Sequence, residues 1–298
     1  MRDSRGRVTR ALFVTVAAHE LYVPVNAWRD SMGPVAHITF NAAGPRNDDA
    51  ILACAKGYVP DVIFYIGAHG GDGLPDITTF KSLRDIAPTI HYQSDVEDEA
   101  WFDLLKRYRK AGCFNLIVGQ TGVKTDLIDM ATLMAIDIKA FQYPKEKSGL
   151  CGFSGSCADL DDEKVSDERT EMLRPLRNYI LYRPREPVGD YHGYVDFLKQ
   201  CIAALNVSYT GSGKRHHVKW RCLEAAFADC ALLEMSQSPL SDWFPKDMYF
   251  SYSSAGDAKR ILQRTRLREF QSVAAEFSKY ARRHYTPRQI FSGILDAL

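Results

Sequence analysis

The sequence lacks the arrangements that usually tie a chain to a metal or to disulfides. Its seven cysteines (Cys54, Cys113, Cys151, Cys157, Cys201, Cys222 and Cys230) include no C-x-x-C pair. An odd set placed mostly inside apolar runs reads as buried free thiols in a reducing compartment. Cys151 and Cys157 are the closest pair, but two more ligands at a zinc spacing are missing and His216-His217 is an isolated doublet, so no metal is expected. No run approaches the roughly 18 apolar residues of a membrane-spanning helix. Neither G-x-G-x-x-G nor a P-loop is present, which gives no support to a hydride-transferring dinucleotide enzyme or a Walker-type NTPase. Net charge is also missing: 38 Lys+Arg against 37 Asp+Glu leaves +1, so the whole-chain balance argues for no anionic partner.

What is present is an ordinary globular mixture over 298 residues, 46% apolar and 25% charged, enough for about two domains. The basic start (Arg2, Arg5, Arg7, Arg10) followed by Ala11 to Ala18 imitates a secretory signal. Its apolar stretch is short and contains Thr15, so it fits a buried first strand better, and a cytoplasmic protein is expected. Short β-branched runs recur at 11–18, 35–40, 61–68, 89–93, 114–119 and 135–143. Trp101, Leu104, Leu105 and Tyr108 mark one face of a helix over 99–110. After the polar stretch 143–149 the rhythm restarts at 150–155, 178–183, 202–207, 230–235 and 248–252. Tyr191, Tyr194, Val195 and Leu198 signal one helix, Trp220, Leu223 and Phe227 another, and Phe270 to Ala281 a long amphipathic one. Strands alternating with helices imply parallel sheets covered on both faces, hence two tandem Rossmann-like, doubly wound α/β domains. The expected division is 1–146 and 147–298, with the last helices packing back on the first domain. Ligands of such sheets bind outside the carboxyl ends of the strands, which points to the cleft between the domains.

Proton acceptors recur at those strand ends. His19 follows the first strand, Asp72 lies in the Gly-rich turn after the third, and Asp95 follows the fourth. Each could act as general base on a hydroxyl, while Asp95 could equally cap a helix and Asp72 only build a turn. In the second domain Gly155-Ser156 form a small-residue turn after a strand, where backbone N–H groups can approach a phosphate. The run Asp159, Asp161, Asp162 has the look of an acidic metal triplet but sits in a charged loop.

The segment 213–233 is the most informative. On a helix over 219–228 the apolar stripe Trp220, Leu223, Phe227 carries Glu224 with it, four residues after Trp220. A carboxylate on a buried face needs a cation or hydroxyl donors. Arg221 would supply the first; the two hydroxyls of a ribose would supply the second. Lys219 and Arg221 at the start of the helix suit a diphosphate.

These residues resemble the donor-binding region of GT-B glycosyltransferases, especially the bacterial spore-maturation-type and family 1-like nucleotide-sugar transferases. The matching positions are Phe153-Ser-Gly155-Ser156, Arg169 to Leu176, Asn178 to Arg183, Tyr191 to Leu198, Leu205-Asn206, Arg221-Cys-Leu-Glu224, Asp229 to Leu233, Trp243-Phe244 and Arg283 to Thr286. They span nearly all of 150–298, whereas 1–149 shares only the strand–helix rhythm. The resemblance implies a hexosyl- or pentosyltransferase that needs no cofactor and uses a nucleoside diphosphate sugar, a UDP-sugar first, as donor substrate. Glu224 would hold the donor ribose, and Gly155, Ser156, Lys219 and Arg221 would surround the diphosphate. His216 stands where many retaining relatives carry a second glutamate, which leaves inverting against retaining chemistry open. Asp95 is the first choice for a base, ahead of His19 and Asp72.

The +1 average hides a basic stretch: nine Lys and Arg against two Glu between residues 259 and 288 give a local +7. Such a face could receive DNA carrying a modified base or an anionic membrane with a lipid-linked sugar, or could simply be solvated. Two other readings stay open, a two-domain sugar-nucleotide epimerase and a non-catalytic nucleotide-binding protein.

Overall fold

The computed structural model describes residues 9–17, 22–94, 96–120, 126–155, 157, 160, 167–184, 190–211, 213 and 215–298. The chain divides into two units, Met1–Asp137 with Pro287–Leu298, and Ile138–Thr286.

The first unit is a parallel α/β sheet. Its strands are β1 (Ala11–Val16), β2 (Val35–Phe40), β3 (Val62–Ile66), β4 (Thr89–Gln93), β5 (Leu116–Gly119) and the two-residue β6 (Met130–Ala131). Helices α1 (Tyr22–Ser31), α2 (Asp48–Tyr58), α3 (Ile77–Ile86) and α4 (Phe102–Ala111) connect them. The sheet order is β2-β1-β3-β4-β5-β6, all parallel, with Phe13 opposite Phe64 in register. Every residue of β3 and β4 is buried, as expected of strands sandwiched between two helical layers. Pleating sends Tyr65 to the face that holds Phe80, His91, Tyr108 and Phe114, while Phe13, Phe64 and Tyr92 line the opposite face. Burial pushes the His91 imidazole down to about 3, so it is a neutral core ring at physiological pH.

The second unit repeats the architecture. Strands β7 (Cys151–Gly155), β8 (Ile180–Pro184), β9 (Ala203–Leu205), β10 (Ala231–Met235) and β11 (Phe250–Tyr252) alternate with α5 (Glu168–Leu173), α6 (Tyr191–Gln200) and α7 (Trp220–Phe227). Helices α8 (Ala255–Arg264) and α9 (Leu267–His284) follow. The order is β8-β7-β9-β10-β11, again all parallel.

One expected strand is not there. Residues 135–137 are irregular, Ile138–Phe141 form a single 3-10 turn, and Phe141 packs 6.4 Å from the Phe227 ring. The sixth strand of the first sheet is β6 instead. The apolar run 133–136 is buried without joining the ladder, and burial without alternation does not distinguish a strand from a packed coil.

The last helix, α10 (Pro287–Asp296), belongs to the first unit. Phe291 is fully buried there, edge-on to Trp28 at 5.0 Å, Phe64 at 5.7 Å and Phe13 at 6.3 Å. Arg288 Nε donates to the Ser31 carbonyl at the end of α1. Deleting a buried phenyl costs about 3–5 kcal/mol, so Phe291→Ala should lower the urea midpoint of the first unit and leave the second unit's transition in place. A single unchanged midpoint would contradict the placement of this helix.

Candidate functional site

In the second sheet the chain runs from β7 to β8 on one side and then crosses to β9 on the other. Loops leave in opposite directions at such a switch point, which opens a crevice at the carboxyl edge between β7 and β9. Gly155 ends β7 there, with a φ of +150° that side-chain-bearing residues rarely adopt.

Arg221, in the first turn of α7, spans the crevice. One Nη donates to the Ser154 carbonyl on β7 and the other to Asn206 Oδ1, 3.0 Å away, just past β9. The guanidinium lies over the Phe153 ring, 5.3 Å from its centroid, and a methyl group built on Gly155 would sit 3.3 Å from Arg221 Nη2. The expected cation is therefore at the switch point, but as a clamp on two strand ends. Lys219 is the N-cap residue of α7 and adds its charge at the positive end of the helix.

Glu224 lies one turn further and is only 4% exposed. Its Oε2 accepts a 2.8 Å hydrogen bond from the Tyr194 hydroxyl on α6. Burial first, and then the neighbouring Glu224 carboxylate, push the Tyr194 phenol well above its usual range, so it stays a donor. Tyr194 is a partner that the sequence does not single out, because in the helical pattern it is only one residue of an apolar face.

His216 is carried back toward β9 by a short antiparallel return, in which Tyr209 bridges His216 and His217 N donates to the Ser208 carbonyl at 2.9 Å. His216 Nδ1 shares a 3.0 Å hydrogen bond with Ser208 Oγ, and its ring packs 4.7 Å from Tyr209. Burial, and secondarily the neighbouring His217, lower its pKa, so His216 is neutral at pH 7.

A second buried acid went unnoticed in the sequence. Glu234 on β10 is 0% exposed; Asn206 Nδ2 donates to its Oε2 at 2.6 Å, Cys222 Sγ to the same oxygen at 3.1 Å, and the Met235 amide to Oε1 at 2.9 Å. The signal was available: a lone carboxylate inside ALLEM, a strand buried on both faces, must have polar partners.

On the acceptor side only Asp72 can be placed. It is exposed in the turn after β3, where Gly73 N bonds the Ala42 carbonyl and Arg46 Nε donates to the Asp72 carbonyl at 3.2 Å. Its backbone thus serves the turn. Asp95, His19, Ser156, Asp159, Asp161 and Asp162 lie outside the described residues. Among the described residues no group of three His, Cys, Asp or Glu could hold a metal ion, and no helix is long and apolar enough to cross a membrane.

A groove of about 570 Å³ also opens on this unit, lined by Asp167, Glu168, Glu171, Tyr209, Ser253 and Ser254 among others. Its three carboxylates repel a diphosphate, which favours the Arg221 crevice as the anion site. The basic stretch is partly spent on structure. Arg260 pairs with Asp257, Lys259 covers the Tyr179 ring, and Arg282 contacts Asp229 and the Phe227 carbonyl.

These two units define the fold of GT-B glycosyltransferases. No family model matches the sequence, and no curated protein does. Solved structures do match. HepE of Anabaena with UDP aligns over 97% of this chain and 100% of its own, at 11% identity and a TM-score of 0.58. An α-glucosyltransferase in complex with UDP-glucose and DNA containing an abasic site aligns over 97% and 98%, at 8% identity and 0.61. The trehalose-6-phosphate synthase OtsA aligns over 97% and 99%, at 10% identity and 0.61.

The Tyr194–Glu224 contact yields a stability test. Removing a hydrogen-bond donor from a buried charged group costs about 1.5–3 kcal/mol. Tyr194→Phe should therefore lower the second unit's stability by that amount in urea at pH 7, and a change under half a kilocalorie would show that the carboxylate does not depend on it.

Proposed function

We propose that this protein is a glycosyltransferase that moves a sugar from a nucleoside diphosphate sugar, a UDP-sugar first, to a hydroxyl acceptor without a resident metal. The observation that carries the reading is the gathering of Gly155, Arg221 and Glu224 at the β7/β9 switch point of a GT-B fold. Similar structures hold UDP or UDP-glucose, which supports the same donor class.

In this reading Glu224 accepts the ribose hydroxyls, with Tyr194 holding one of its oxygens. Gly155 and Ser156 are the proposed contacts of the diphosphate, and Lys219 with the α7 N-terminus supplies positive potential. Arg221 contributes a fixed charge, since two of its nitrogens already hold the strand ends. As charge builds on the departing diphosphate, these dipoles and cations need little reorganisation, which is where the rate gain arises. Asp95, two residues past β4, is the proposed base for the acceptor hydroxyl, with His19 and Asp72 as alternatives. His216, neutral and bonded to Ser208, stands near the donor; inverting against retaining chemistry is to be read from the anomeric configuration of the product.

For the acceptor we propose a polyanion-borne hydroxyl, presented to the exposed Arg264, Arg268 and Lys279 of α8 and α9. A modified base in DNA fits the neighbour bound to DNA; a lipid-linked sugar would instead be revealed by co-sedimentation with anionic vesicles. The seven free thiols favour the cytoplasm.

Glu224→Ala should weaken UDP binding by at least tenfold in calorimetry while the melting temperature of the first unit holds; unchanged affinity would remove Glu224 from the ribose. Asp95→Asn should abolish transfer and leave UDP binding within twofold, whereas near-normal turnover would remove Asp95 from the base role. Release of free sugar from UDP-glucose separates a catalytic protein from an inert binder, and transfer to added acceptor separates it from an epimerase.

A further inference from the structure

Glu234 is linked to Arg221 through the Asn206 amide. From β10 it accepts Asn206 Nδ2 at 2.6 Å, and the opposite atom of that amide, Oδ1, accepts Arg221 Nη1 at 3.0 Å. An ionised carboxylate can only accept and a guanidinium can only donate, so Asn206 has one allowed amide orientation between them. On the other side Ser208, whose hydroxyl lowers the pKa of Glu234, contacts His216 Nδ1 at 3.0 Å. One carboxyl therefore sits behind both a strand-end clamp and the histidine of the β9 return.

We propose that Glu234 is a positioning residue, which through Asn206 and Ser208 orients Arg221 and His216 for the sugar-nucleotide diphosphate. The inference rests on the donor reading given above. Asn206, Cys222 and the Met235 amide all donate to Glu234, so the arrangement is built for the anion. Burial opposes that charge and holds the carboxyl up at about 7, against the lowering by Asn206, Cys222, Met235 and Ser208. Ionisation of Glu234 thus falls in the neutral range. Protonation adds a donor to a carboxyl already ringed by donors, and releases Asn206 from its single orientation. Donor affinity is then highest above pH 7 and falls as pH drops through that value.

Titratable groups of the described residues surround Glu234 from several elements. From α7 they are Arg221 and Cys222, whose thiol is pushed up by burial and by Glu234 itself. From β11 and its approach they are Tyr252 and Tyr249, both raised by burial first, and His216 lies beyond Ser208. The two phenols and the thiol are all shifted upward, away from ionisation at pH 7. His216 is lowered from 6.5, so its own titration lies on the acid side of that of Glu234.

The test is the pH dependence of UDP-glucose affinity by calorimetry between pH 5.5 and 8.5, a probe whose diphosphate diester does not titrate there. Wild type should lose at least threefold in affinity on acidification, with a midpoint near 7. Glu234→Gln should bind at least threefold more weakly at pH 8 and lose that step, and Asn206→Ala should do the same. In ligand-free protein the His216 Cε1 resonance should report a step near pH 7 that Glu234→Gln removes. Wild-type-like affinity and an unaltered histidine titration in a folded Glu234→Gln would overturn the proposal. If wild type binds neither UDP-glucose nor UDP while the histidine step persists and vanishes in the variant, the donor reading is what has failed.

Discussion

The second unit depends on how the crevice between β7 and β9 is held. A parallel sheet that reverses its strand order leaves backbone groups at its carboxyl edge without ladder partners. Arg221 closes that edge with a hydrogen bond to Ser154 on β7, another to Asn206 beyond β9, and a stack on Phe153. Charge-assisted bonds of this kind contribute about 1.5–3 kcal/mol each. The same guanidinium fixes where a positive charge stands relative to the Gly155 turn and the α7 N-terminus. The contacts that hold this edge are thus the ones that make up the proposed site.

The site is layered around that clamp. Glu224 and Tyr194 bring a carboxylate and a phenol from α7 and α6 to one end of the crevice. Glu234, Asn206 and Cys222 form a buried polar network behind it. Such networks in a low-dielectric interior are costly when half satisfied and rigid when complete. Three donors within 3.1 Å of the Glu234 carboxylate place it in the second class.

Much of the architecture was legible in the sequence, since strands buried on both faces appear as apolar runs and ten of the eleven found here coincide with such runs. The run at 135–143 misled because burial, not pairing, makes it apolar, and β6 is too short at two residues to leave a pattern. That the last helices pack back on the first domain was expected, but which of them does so, α10 and not α9, was not legible. An amphipathic face says that a helix packs, not on which core, and only Phe291 among Phe13, Trp28 and Phe64 decides it. Glu224 stood out because charge appeared on an apolar stripe, and Arg221 because it stands at the start of the same helix. Tyr194 hid as an amphipathic residue whose hydroxyl matters, and Glu234 hid as one letter in a hydrophobic strand. The partners of both lie across the fold, 30 residues away for Tyr194 and 28 for Glu234, beyond the reach of local periodicity.

The central claim is that the β7/β9 crevice binds a nucleoside diphosphate. Hydrogen exchange with and without saturating UDP tests it directly. The account predicts slowed exchange in peptides covering 153–157 and 219–224, with 167–172 beside the acidic groove unchanged. Protection confined to the acidic groove, or to the first unit, would contradict it.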